Sequence, residues 1–123
     1  MKLYAVQHDI LWEDKPANFE RVSSMLAKAS PTPGSLIVLE EMFATGFTKN
    51  LSATREAAAG ETESFLRDLA LRYQCCVIGG LVGCGEGDKG RNESLAITPD
   101  GTELARYVKM QPFSAGDEHL VHE

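Results

Sequence analysis

Hydrophobic and polar positions change period several times along this chain, and each change predicts a new element. In residues 2–8, KLYAVQH, Leu3, Ala5 and Gln7 share one face while Tyr4, Val6 and His8 share the other. That alternation predicts a largely buried strand with polar groups arriving at its end. Phe19, Val22, Leu26 and Ala29 then recur at three- and four-residue spacing, with Met25 beside them. This is the stripe of an amphipathic helix, and Asp14 lies near its start, where an acidic side chain is favourable. SPTPGS, residues 30–35, is a stop and turn signal. LIVL, residues 36–39, is a continuous apolar run between turn signals, which predicts a parallel strand covered on both faces.

Residues 42–60 are less regular. MFATGFTKN reads as a loop with apolar anchors, and LSATREAAA as a short helix ended by Gly60. Thr62 is expected to cap a helix through Tyr73, whose apolar stripe is Phe65, Leu66, Leu69 and Tyr73. CCVIGGLV reads as another buried strand, and GCGEGDKG, residues 83–90, as a charged glycine-rich loop. NESLAITP and TELARYVK predict two strands joined by a tight turn at Asp100 and Gly101. The order of elements predicts an α/β layered fold, with a mixed sheet containing one antiparallel pair. The glycines do not make a phosphate cradle, because neither GxGxxG nor GxxxxGK[ST] stands between a strand and a helix.

A chain of 123 residues suits a single domain, residues 1–123. Its formal charge of -6 disfavours a nucleic-acid partner, which needs a concentrated basic footprint. The N-terminus lacks the apolar core and cleavage site of a signal peptide, and no stretch has the length of a membrane span. A cytoplasmic protein without a membrane partner is expected. Cys75, Cys76 and Cys84 are odd in number, which argues against a disulfide framework. Cys75 and Cys76 open an apolar run, so at least one is expected to be a core thiol. The cysteine spacing does not suit zinc, and no metal or cofactor is expected.

The candidate chemistry lies at strand ends. Glu41 follows a buried strand, and ligands of open α/β sheets bind outside the carboxyl ends of strands. A carboxylate there is placed to act as a general base, and Glu40 competes with it for that role. Lys109 closes the last strand and is suited to stabilising a developing oxyanion. Glu118 and His119 follow a turn around Gly116. His8, His119 and His122 are read as surface side chains, the more frequent fate of a loop histidine.

Five segments, LYAVQHDILWED, LIVLEEMFATGFT, VIGGL, NESLAITPDG and YVKMQPFSAGDEH, resemble the N-terminal part of the nitrilase-like carbon–nitrogen hydrolase family in order and spacing. The resemblance spans essentially all of the chain but less than half of a family domain. It implies a four-layer α-β-β-α sandwich that commonly dimerises, and a Glu–Lys–Cys catalytic triad. Carried onto this sequence, the glutamate is Glu41, the lysine is Lys109, and a second supporting glutamate is Glu118. The family usually has proline where this chain has Glu40, which adds a like charge and removes a fixed φ. The nucleophilic cysteine is expected beyond Glu118, because Cys75, Cys76 and Cys84 stand in the wrong places. The 123 residues are therefore expected to form an incomplete domain, inactive alone, that self-associates or joins a C-terminal segment. EMFATGFT and YVKMQPFSAGDEH most resemble the omega-amidase-like branch, which implies small amide substrates. The alternative is a non-catalytic α/β module of the same fold that acts as a homo-oligomer or regulatory subunit.

Overall fold

The computed structural model describes residues 1–110. Within them β1 (Leu3–Ala5) leads into α1 (Lys15–Ala29), and β2 (Leu36–Val38) leads through α2 (Leu51–Thr54) into α3 (Glu61–Tyr73). β3 (Cys76–Cys84), β4 (Gly90–Ile97) and β5 (Glu103–Val108) follow as a meander. The five strands form one sheet in chain order. β1, β2 and β3 are parallel, whereas β3–β4 and β4–β5 are antiparallel. The sheet is mixed, as the pattern predicts, but it has two antiparallel pairs rather than one. The second arises because the loop after β3 is itself a hairpin connection. Gly85 N–H donates to the Lys89 carbonyl, and Gly87 takes a positive φ of 58°.

Local chemistry sets the helix ends. The Asp14 carboxylate accepts the Ala17 N–H at 3.1 Å and caps α1. Ser30 ends that helix in the left-handed region. Two expectations are corrected. Gly60, not Thr62, is the N-cap of α3, because the Thr62 N–H and hydroxyl both donate to the Glu56 carboxylate. The helix expected over residues 51–59 stops at Thr54, because Glu56 is drawn into a parallel bridge with Gly83. There the Glu56 carboxylate lies 2.5 Å from the Lys15 ammonium, and both side chains are buried. This pair staples the start of α1 to the loop ahead of α3.

The core occupies one face of the sheet. Ile37, Val77, Leu81, Leu95 and Ile97 point towards Val22 and Leu26 of α1 and Leu66, Leu69 and Ala70 of α3. The alternating positions point the other way. Leu36, Val38, Cys76, Ile78, Ser94 and Ala96 are only half-buried, and Leu3, Ala5, Ala105 and Tyr107 are exposed. β1, expected to be largely buried, and β2, expected to be covered on both faces, are covered on one among the described residues. Their apolar outer positions belong to a second face that these residues leave open. Among the described residues no helix is long and apolar enough to cross a membrane.

Candidate active site

The chain leaves β2 at Val38, where the Leu39 N–H still donates to the Ile78 carbonyl at 2.8 Å, and then turns sharply. Thr45 and Gly46 N–H both donate to the Met42 carbonyl, with Met42 at φ 56° and Gly46 at φ 71°. Met42 and Phe43 are fully buried and hold this turn. Phe43 packs 6.1 Å from the rings of Phe19 and Phe65, which stack on each other at 4.3 Å. Buried Asn18 of α1 donates to the carbonyls of Leu11 and Ala44, both at 2.8 Å. The turn also lies flat against β3. A Cβ on Gly80 would come 2.9 Å from the Met42 nitrogen and 3.2 Å from the Glu41 Cα, so glycine is the residue that permits this approach. Glu41 begins the turn and is thus carried on a rigid support with its side chain free to face the sheet.

β4 and β5 supply the groups opposite. The Lys109 N–H donates to the Asn92 carbonyl at 2.9 Å, which extends their ladder and sets the two side chains next to each other on the open face. Lys109 Nζ lies 3.2 Å from Glu41 Oε1, and Asn92 Nδ2 donates to the same oxygen at 2.7 Å. Among the described residues no donor reaches Oε2. The Glu41 side chain is 46% exposed and that of Lys109 29%. They stand at a cavity of about 740 Å³ whose lining includes Val38, Ile78, Gly80, Ser94, Tyr107 and Met110. The site thus combines a carboxylate with one uncommitted oxygen, a cation and an apolar wall.

Sequence reasoning named Glu41 and Lys109, and the structure brings them together. Glu118, with His119 and His122, lies outside the described residues. Asn92 was missed; its signal was its place two residues before Ser94 on a strand whose even-numbered positions face the site. Glu40 is not a competing base at this cavity. Its carboxylate turns towards His8, accepting the backbone N–H at 2.5 Å and lying 3.2 Å from Nδ1. His8 is likewise no surface residue, with a side chain only 2% exposed. It is buried because the loop after β1 packs under the turn after β2, a tertiary event that local pattern does not contain.

The thiols are distant from this arrangement. Cys75 is buried with Sγ 3.3 Å from the carbonyls of Thr32 and Tyr73, as expected for a core thiol. Cys76 and Cys84 are each four residues along β3 from Gly80, in opposite directions, or about 13 Å. Burial pushes the Cys76 thiol up, with further help from Cys75, so it is a poor thiolate. No group of three or more metal-ligating side chains converges among the described residues.

The chain resembles known proteins in sequence and in fold. The sequence profile of the Carbon-nitrogen hydrolase family matches residues 2–123. The omega-amidase YafV of Yersinia enterocolitica is 36% identical over 121 residues, covering 97% of this chain and 44% of that protein. A deaminated glutathione amidase of Synechocystis is 33% identical over 102 residues, or 78% of this chain and 37% of that one. The crystal structure of a CN-hydrolase superfamily protein from Xanthomonas campestris, with an arsenic adduct in its active site, superposes with a TM-score of 0.86. It is 27% identical and covers 98% of this chain and 44% of that one. The chain spans less than half the length of these relatives. A mixed sheet with helices on one face, a profile match over nearly every residue and amidase relatives all agree that this chain belongs to the carbon-nitrogen hydrolase family.

Proposed function

We propose that Glu41 is the general base and Lys109 the oxyanion-stabilising cation of an amide-cleaving acyl transfer. The observation that carries this reading is the asymmetry of Glu41. Lys109 and Asn92 both address Oε1, so Oε2 is the oxygen left to exchange a proton. In the complete reaction Oε2 takes the proton of a cysteine thiol, and the thiolate attacks the amide carbonyl carbon. Lys109 faces the oxygen that becomes negative. Glu41 returns the proton to the leaving nitrogen, the C–N bond breaks, ammonia departs, and water hydrolyses the thioester. The family resemblance gives Glu118 a supporting part. The thiol lies outside this chain's own three cysteines, because none of them is near Glu41.

The substrates are small monoamides of dicarboxylic acids. Support comes from the omega-amidase relative and from EMFATGFT and YVKMQPFSAGDEH. The open sheet face is covered in the working protein, by the rest of such a domain or by a second copy. The 123-residue chain alone is expected to release no ammonia from a dicarboxylic monoamide above a buffer blank. Joined to the C-terminal part of a family member that supplies the nucleophile, it is expected to gain that activity. Hydrolysis by the isolated, mass-verified chain would overturn the division of labour proposed here.

A further inference from the structure

The turn that carries Glu41 begins where the β1–β2 ladder ends. Ala5 pairs with Val38, and the last backbone rung is the Val6 N–H on the Val38 carbonyl at 2.9 Å. Rungs of a parallel pair are evenly spaced, so the next would join the His8 N–H to residue 40. It does so, but through the side chain. The backbone has already turned towards Gly80, and Glu40 Oε1 accepts the His8 N–H at 2.5 Å in place of a carbonyl. Oε2 of the same carboxylate lies 3.2 Å from His8 Nδ1. A carboxylate accepts and does not donate, so Nδ1 carries the proton in this contact. The ring is buried, and among the described residues Nε2 has no hydrogen-bond partner. The ring's one polar contact among the described residues is therefore with Glu40, which also accepts the His8 backbone N–H.

We propose that His8 and Glu40 form a clasp that positions Glu41. The clasp substitutes a side-chain rung for a backbone rung at the point where the strand turns. It fixes the residue directly ahead of Glu41 against the loop after β1, so that the Glu41 carboxylate meets Asn92 and Lys109. His8 and Glu40 are positioning residues and touch no reacting atom. The functional meaning of the clasp rests on reading Glu41 as the base, but the geometric claim does not.

The test reads the site without any turnover. In the 123-residue chain the Asn92 side-chain amide resonance reports its hydrogen bond to Glu41. Glu40→Ala and His8→Phe are expected to move it towards the position of an exposed amide. Amide exchange over residues 40–46 is expected to quicken by about tenfold or more, while Ile78 and Leu95 in the sheet keep their rates. His8→Asn, whose side-chain N–H replaces Nδ1, is expected to restore both signals. If His8→Phe gives no dispersed spectrum, Glu40→Ala and His8→Asn decide. An unmoved Asn92 resonance in Glu40→Ala overturns the clasp. So does exchange that quickens equally across the sheet, or a His8→Asn chain no better than Glu40→Ala. Because ammonia release is not measured, the clasp can fail while the role of Glu41 stands, and the reverse.

Discussion

β4 and β5 carry two charge clusters on opposite faces, built from neighbouring residues. On the helix face, Arg106 donates to Glu93 at 2.6 Å and to Glu63 at 2.7 Å, and Arg67 reaches Glu63 at 2.8 Å. Glu63 and Glu93 are only 4% and 6% exposed. On the open face, Asn92 and Lys109 address Glu41, and the Glu41–Lys109 pair is half-exposed. Burial acts to raise the Glu63 carboxyl, yet the hydrogen bonds from Arg67 and Arg106 outweigh it and hold the group below its usual range. The Arg106 guanidinium is correspondingly held above its ordinary value, first by Glu103 and then, against burial, by Glu63 and Glu93. Each Glu63 oxygen has a cationic partner, whereas among the described residues Glu41 keeps one oxygen uncommitted. A fully paired buried cluster fixes structure, and an under-committed one at a cavity is available for chemistry.

The comparison can be broken at either end. Arg106→Met takes one of its two cations from buried Glu63 and is expected to cost about 3 kcal/mol at pH 7. Urea unfolding followed by circular dichroism checks this. The deficit has a sign in pH. The Glu63 carboxyl, whose folded value is depressed, adds stability that is present above its unfolded value of 4.5 and lost as pH falls through the folded value. The Arg106→Met deficit is therefore expected to shrink below about pH 4.5. A deficit that is independent of pH would show that Arg106 acts through packing instead.

A smaller effect is expected at the junction between the clusters. Gly80→Ala drives a methyl against the backbone of Glu41 and Met42, at a cost of about 1–3 kcal/mol. It is also expected to displace the Asn92 side-chain resonance. Gly79 faces Leu66 and Phe43 instead, so Gly79→Ala is expected to lower stability while leaving that resonance in place. Equal spectral effects from the two would erase the distinction between the faces.

The ends of β2 and β5 were legible in the sequence because a strand end is a local event, and the family resemblance chose Glu41 over Glu40. An apolar run, a stop and a charged residue suffice to find such an end. The mixed sheet was legible for the same reason, through LIVL, CCVIGGLV and the Asp100–Gly101 turn. Three things were not. Glu56 shortens a helix by pairing with Gly83 and Lys15, partners 27 and 41 residues away. His8 exchanged a surface reading for a buried side chain, Glu40 left the role of competing base, and their pairing spans 32 residues. Asn92 looked like one polar position in an alternating strand until the register with β5 set it beside Lys109. In each case the missing information was a long-range contact, which periodicity does not encode.

The central claim is that the open-face cluster serves the reaction and the helix-face cluster serves the fold. Its most direct test measures rate and stability together for Glu41→Gln, in the chain joined to a nucleophile-bearing C-terminal part. The expected result is a stability change under about 1 kcal/mol, as for an exposed ion pair, with ammonia release lowered by about 100-fold or more. A rate close to that of the parent would contradict the assignment of Glu41 as the base.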